Sequence, residues 1–224
     1  MGYGAPVRLR SDVAGRGSAR LGFTLSPGMR VGLYGGSFNP AHNGHVHVAE
    51  TALKRLGLSR VIWLVSPQNP LKSTDETASL DERMRGARAM ARGGSMKVSD
   101  VETRLGVQYT IDTIRILKAR FPGVHFVWIM GADSLLTFHR WRGWVKIMRA
   151  CPVAVVSRPW ASLRSRFSPA ARRFARSRQP ERNAKSLALS PAPAWIYLHG
   201  QFNFASSTAM RRGLRGRAQG LRTL

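Results

Sequence analysis

The segment Gly35-Gly36-Ser37-Phe38-Asn39-Pro40-Ala41-His42-Asn43-Gly44-His45 joins a glycine turn to two histidines three positions apart. A glycine turn lets backbone N–H groups come close to an anion. A helix opening just after it adds unpaired N–H groups and the positive end of a dipole. Histidines at i and i+3 share a helical face, so His42 and His45 can address one phosphate, and Gly44 between them leaves room for the ligand. The plainer alternative is a capped helix with two incidental histidines. The glycine turn at the end of a strand-like segment argues against it.

A second candidate is Phe204-Ala205-Ser206-Ser207-Thr208-Ala209-Met210-Arg211. Three hydroxyls followed by an arginine suit a polyphosphate tail, although hydroxyls at a helix start are usually only caps. Asp133 follows a strand through Gly131-Ala132, where a carboxylate suits a ribose diol; a simple helix cap is the alternative. Trp141 and Trp144 stand at helical i, i+3 spacing, which predicts one ring in the core and one free to stack on a planar ligand.

Other chemistries fit less well. Gly32, Gly35 and Gly36 do not make the dehydrogenase G-x-G-x-x-G pattern, and no G-x-x-x-x-G-K-[ST] occurs. His47 lies on the far side of a helix from His45, and no carboxylate stands at a suitable spacing, which disfavours zinc. Cys151 beside Pro152 reads as buried and inert.

These residues need elements to position them. Apolar runs at Arg30–Tyr34, Val61–Val65, Met96–Ser99, Val124–Met130, Val153–Val156 and Trp195–Leu198 predict strands. Helices are predicted over 44–56 with Asn43 as cap and Val46, Ala49, Leu53 and Leu56 on one face, over Leu80–Arg92, over Tyr109–Phe121 and over Ser207–Leu214. Gln68–Ala78 reads as a loop. The alternation predicts an α/β, Rossmann-like parallel sheet of five to six strands with helices on both faces. Ligands in such sheets sit beyond the carboxyl ends of the strands, where the glycine turn and Gly131-Ala132-Asp133 lie.

Residues 1–29 are rich in Gly, Arg and Ser and read as a flexible extension, with Met29 as a candidate translation start. The domain is expected over 30–215, with a basic insert at 160–194 and a tail at 216–224. The insert, with Arg164, Arg166, Arg172, Arg173, Arg176, Arg178 and Arg182, reads as one exposed basic helix and a proline-rich linker.

The chain has 224 residues, enough for a substantial core, and 36 Lys+Arg against 11 Asp+Glu give a net charge of +25. Residues 158–224 alone hold 14 basic residues and one acidic. Such a field attracts polyanions, whether nucleic acid or phosphorylated substrates, and an arginine-rich composition on solvated faces explains it equally well. A single cysteine excludes an intramolecular disulfide and fits a reducing compartment. Without an apolar run long enough for a membrane span or a secretory signal, the expected location is the cytoplasm.

Gly35–His45 resembles the [GT]-[ST]-F-[DN]-P-x-H-x-G-H signature of the nucleotidylyltransferase superfamily, and Ser206–Arg211 resembles its S-[ST]-T-x-x-R partner. Asn69-Pro70-Leu71-Lys72, Ser99-Asp100-Val101-Glu102, Tyr109-Thr110-Ile111-Asp112-Thr113, Gly131-Ala132-Asp133-Ser134 and Ser157-Arg158-Pro159 are similar to bacterial nicotinate-nucleotide adenylyltransferase. The resemblance implies adenylyl transfer from ATP to nicotinate mononucleotide, giving deamido-NAD and pyrophosphate, with Mg²⁺ bound alongside ATP and no covalent enzyme intermediate. It assigns His42 and His45 to the α-phosphate, and Gly35, Gly36, Ser37, Phe38, Gly131, Asp133, Ser206, Ser207, Thr208 and Arg211 to ATP. It assigns Asn39, Lys72, Thr110, Trp141 and Arg158 to the acceptor, with Trp141 stacking on the pyridine ring and Thr110 near its carboxylate. Arg142 stands where the family often has tyrosine. The nearest alternatives are adenylyltransferases for nicotinamide mononucleotide or pantetheine phosphate, and a basic nucleic-acid-binding module is a remoter one.

Overall fold

Short β-rich segments separated by helix caps and glycines condense here into one parallel sheet. A computed structural model describes residues 22–67, 78–158 and 162–199. The strands are β1 (Arg30–Gly36), β2 (Arg60–Val65), β3 (Met96–Ser99), β4 (His125–Gly131), β5 (Val153–Val156), β6 (Arg178–Gln179) and β7 (Trp195–Leu198). They run in the order β3-β2-β1-β4-β5-β7-β6, with every pair parallel. The sheet therefore has seven strands where five to six were expected. The extra one, β6, is two residues long and pairs only with β7. A pair that short carries no hydrophobic periodicity to announce it.

β1 lies between β2 and β4, so the chain builds outward from it in both directions. This is the point in an open α/β sheet where successive loops diverge and leave a crevice at the carboxyl ends of the strands. From Phe126 onward β4 is apolar, because both its faces are covered. Phe126, Trp128 and Met130 join one core, while Val127 and Ile129 join the other.

Helices α1 (Asn43–Arg55), α2 (Leu80–Met90), α3 (Val101–Leu105), α4 (Thr110–Arg120), α5 (Ala132–Thr137) and α6 (Trp144–Ala150) fill the crossovers. The cap of α1 is His42, not Asn43. Its buried side is Gly44, Val48, Ala49 and Ala52; of the expected face, Ala49 and Leu56 are buried while Val46 and Leu53 are only partly covered. α2 opens with a capping box between Ser79 and Glu82 and ends before Gly93-Gly94.

Residues 22–29 are not part of a loose extension. Phe23 is buried against Phe121, Gly28 N–H donates to Gly123 O at 2.8 Å, and His125 N–H donates to Met29 O at 2.9 Å. The basic insert also differs from expectation. It forms α7 (Ser162–Arg166), α8 (Pro169–Arg173), β6 and a 3-10 segment over Glu181–Leu189. Ala170, Ala171, Phe174, Ala184, Leu187 and Ala188 are buried, while all seven arginines face solvent. The small apolar residues between the arginines dock the segment, a signal outweighed in the sequence by the charge. The helix expected over 207–214 and the loop over 68–77 lie outside the described residues.

Candidate active site

His42 caps α1 with its own ring. Its Nδ1 accepts Gly44 N–H at 3.0 Å, and its backbone N–H donates to His45 Nδ1 at 3.2 Å. An Nδ1 that accepts is unprotonated, so each neutral ring carries its proton on Nε2. His42 Nε2 is buried and has no hydrogen-bond partner among the described residues. Burial, reinforced by the Arg158 charge, holds the His42 pKa down to about 4. Burial also holds His45 down to about 2, with His42 and Arg158 adding to the effect. Both rings are therefore neutral N–H donors at ordinary pH. No acidic residue stands in the first turn of α1 to quench its dipole.

Phe38 supports this pair from below. Its ring is buried, stacks over Trp63 at 5.0 Å and meets His45 edge-on at 4.9 Å. Its backbone lies in the left-handed region, with φ at +46°, a conformation that packing must enforce on a bulky residue.

Arg158, just past β5, ties the strand ends together. Nη1 pairs with Asp133 Oδ2 at 3.1 Å, while Nη2 donates to Tyr34 Oη at 3.1 Å and to Gly44 O at 3.2 Å. One guanidinium thus joins β1, the start of α5 and the first turn of α1. Gly131 makes room for it: a Cβ there would collide with Asp133 Oδ1 and stand 2.9 Å from Arg158 Nε.

Beside the glycine turn opens a cavity of about 510 Å³. Gly35, Gly36 and Ser37 form one wall, and Thr110, Trp141 and Arg142 form part of another. Trp141 meets Phe138 and Trp128 edge-on, at 5.3 and 6.3 Å. Arg142 stacks over the Tyr109 ring at 4.4 Å. Glu102 also lines the cavity; Thr113 Oγ1 donates to its Oε1 at 2.9 Å, and burial pushes its pKa up to about 7.

The model of the cytidylyltransferase-like family matches residues 33–213. A relative from Caulobacter sp. (strain K31), named probable nicotinate-nucleotide adenylyltransferase, is 72% identical over 82% of this chain and 97% of its own length. One of the same name from Methylorubrum extorquens is 55% identical over 82% of this chain and 99% of its own. The chain belongs to the bacterial nicotinate-nucleotide adenylyltransferase family. It is a nucleotidyltransferase. The fold agrees: nicotinic acid mononucleotide adenylyltransferase from Plasmodium falciparum, solved with NaAD, matches with a TM-score of 0.61 at 14% identity over 82% of this chain and 83% of that one.

Within this family member, the structure gathers His42, His45, Gly131, Asp133 and Arg158 at one end of the crevice. Gly35, Gly36, Ser37, Thr110 and Trp141 line the cavity. Asp133 does not cap α5, whose cap is Gly131; its carboxylate pairs with Arg158 instead. Arg158 bonds Asp133, Tyr34 and Gly44 through its Nη groups, while its buried Nε has no partner among the described residues. The Phe38 side chain lies in the core, leaving only its backbone for a nucleotide. Asn39 is buried, and its Oδ1 accepts Ala78 N–H at 3.4 Å. Of the two tryptophans, Trp144 packs on Phe138 and Phe174 while Trp141 faces the cavity. Cys151 is buried, donates to Phe126 O, and burial pushes its thiol up to about 12, consistent with an inert role. Lys72, Ser206, Ser207, Thr208 and Arg211 lie outside the described residues.

Sequence reasoning missed a buried arginine on α2, Arg83, which bonds the loops around the cavity. In sequence it is one of several charges on a polar helix, and nothing marks it as buried.

Proposed function

We infer that this enzyme transfers the adenylyl group of ATP to nicotinate mononucleotide, giving deamido-NAD and pyrophosphate in NAD biosynthesis. The observation that carries the reading is the pair of neutral imidazoles at the start of α1, beside a cavity with an aromatic wall. In the reaction, a phosphate oxygen of the acceptor attacks the α-phosphorus of ATP. A new P–O bond forms, and the bond to the bridging oxygen breaks as pyrophosphate departs. Nothing in that exchange needs a protein nucleophile; it needs alignment and neutralisation of developing charge. The Nε2–H groups of His42 and His45, with the opening N–H groups of α1, donate to the α-phosphate oxygens.

Asp133, fixed by Arg158, receives the ATP ribose, with Gly35, Gly36 and Gly131 allowing close backbone approach. Trp141 stacks on the pyridine ring, and Thr110 stands at its carboxylate. Ser206, Ser207, Thr208 and Arg211 hold the leaving pyrophosphate. Mg²⁺ would travel with the ATP phosphates and neutralise their charge. Such an ion keeps several of its waters and is held mainly through substrate phosphates. The reaction is expected in the cytoplasm. No helix among the described residues is long and apolar enough to cross a membrane.

The test is pyrophosphate release with ATP, Mg²⁺ and each of nicotinate mononucleotide, nicotinamide mononucleotide and pantetheine phosphate. A clear preference for the first is expected; its absence overturns the acceptor assignment.

A further inference from the structure

Arg83 is 4% exposed, and among the described residues no carboxylate pairs with it. Its compensation comes from backbone carbonyls. Nε donates to Ala78 O at 3.0 Å, and Nη1 donates to Ser37 O at 3.0 Å and to Ser66 O at 2.7 Å. A cation buried without an acid is costly unless such dipoles surround it, so each of these bonds matters to the local structure. The three carbonyls come from three places: the loop after β1, the loop after β2, and the residue before the cap of α2. Ser37 and Ser66 both line the cavity beside Trp141. Ser66 N–H also donates to Gly36 O at 3.0 Å, so the two loops already touch and the guanidinium locks their separation.

We propose that Arg83 is a positioning residue for the acceptor: its planar fork clasps the loops after β1 and β2 and sets that wall of the acceptor cavity. This rests on the reading of nicotinate mononucleotide as the acceptor. Of the groups assigned to ATP, Ser37 accepts one of these bonds through its carbonyl, while His42, His45, Gly131 and Asp133 receive no hydrogen bond from Arg83 among the described residues. Ser66 shares the cavity with Thr110 and Trp141, so acceptor binding is the step that depends most on the clasp. Lysine would keep the charge but offers a compact ammonium in place of a rigid fork, and cannot reproduce all three bonds.

The experiment measures steady-state kinetics of Arg83→Lys with each substrate varied in turn, alongside circular dichroism and thermal unfolding. The KM for nicotinate mononucleotide should rise roughly ten- to a hundredfold, as expected for a displaced binding wall. The KM for ATP should rise less than that for the acceptor and kcat should stay within about threefold, a split that mere loss of folded enzyme cannot produce. In Arg83→Gly, added guanidinium should lower the acceptor KM again, whereas methylammonium should not. An unchanged acceptor KM in folded Arg83→Lys overturns the proposal. So does a loss confined to kcat, or one shared equally by both substrates. If the wild-type enzyme prefers a different acceptor, the function reading falls, and the clasp is tested with that acceptor instead.

Discussion

The rings of His42 and His45 lie 3.9 Å apart, centroid to centroid, and each accepts a backbone N–H on Nδ1. One local arrangement therefore caps a helix and fixes the protons of two side chains on Nε2. Replacing either ring with alanine should lower kcat by about a hundred- to a thousandfold, the size of effect seen when a donor to developing charge is lost. His42→Ala should also cost about 1 kcal/mol of stability as a lost cap. Turnover and urea unfolding of the purified variants check both numbers. Wild-type turnover in the double variant would remove the imidazoles from the mechanism.

The same rings set a pH dependence of stability. Their pKa values are held below the ordinary 6.5, to about 4 and about 2, so the unfolded chain binds protons that the folded protein refuses. By linkage their contribution is full above pH 6.5 and is lost as the pH falls from there, towards 4 for His42 and towards 2 for His45. The stability gap between wild type and the His42→Gln/His45→Gln variant should therefore narrow on acidification. Nitrogen-15 NMR of labelled imidazoles should show both rings neutral, with the proton on Nε2, at pH 6.5.

Glu102 has the opposite sign. Burial raises its carboxyl from 4.5 to about 7, so between those values the folded protein keeps a proton that the unfolded chain has released. Its contribution to stability is full below pH 4.5 and falls as the pH rises through 7. Glutamine can still accept from Thr113 Oγ1 and bears no charge. Glu102→Gln should thus match wild type near pH 4.5 and exceed it above pH 7, by an amount on the order of 2 kcal/mol. Chemical unfolding across that range measures it, and equal stability at high pH would contradict burial as the cause of the raised pKa.

Arg158 joins Asp133, Tyr34 and Gly44 through three hydrogen bonds. Arg158→Met should free Asp133 and loosen the first turn of α1. The expected loss is about 1–3 kcal/mol of stability, the scale for hydrogen bonds from a charged donor, with the ion pair to the half-exposed Asp133 adding little. The KM for ATP should rise more than that for the acceptor if Asp133 receives the ribose as proposed. Gly131→Ala, whose Cβ would intrude between the same two side chains, should reproduce that KM pattern.

Trp141 is half-buried, held edge-on by Phe138 and Trp128, and presents its remaining surface to the cavity. Trp141→Ala should weaken acceptor binding by about 1–3 kcal/mol, the scale measured for stacking of aromatic bases on aromatic side chains. Trp141→Phe should recover most of it. Isothermal titration with nicotinate mononucleotide gives the comparison; equal affinity in the alanine variant would place the ring elsewhere.

The sequence by itself determined the strand segments, because a parallel strand covered on both faces must be apolar along its length, as in β4 and β5. It also determined the histidine pair, because a cradle made from consecutive residues is written in consecutive letters. It could not determine what meets across the sheet. Arg158 and Tyr34 are 124 positions apart, and only the β1-β4-β5 order brings them together. Arg83 and Glu102 read as ordinary solvated charges until folding buries them, since burial depends on which neighbours arrive from distant parts of the chain. Tertiary packing also chose Asp133 as an ion-pair partner rather than a cap, pulled Phe38 into the core and docked the arginine-rich insert through its small apolar residues. Local spacing encodes which groups are available; long-range contacts decide their charge, orientation and partners.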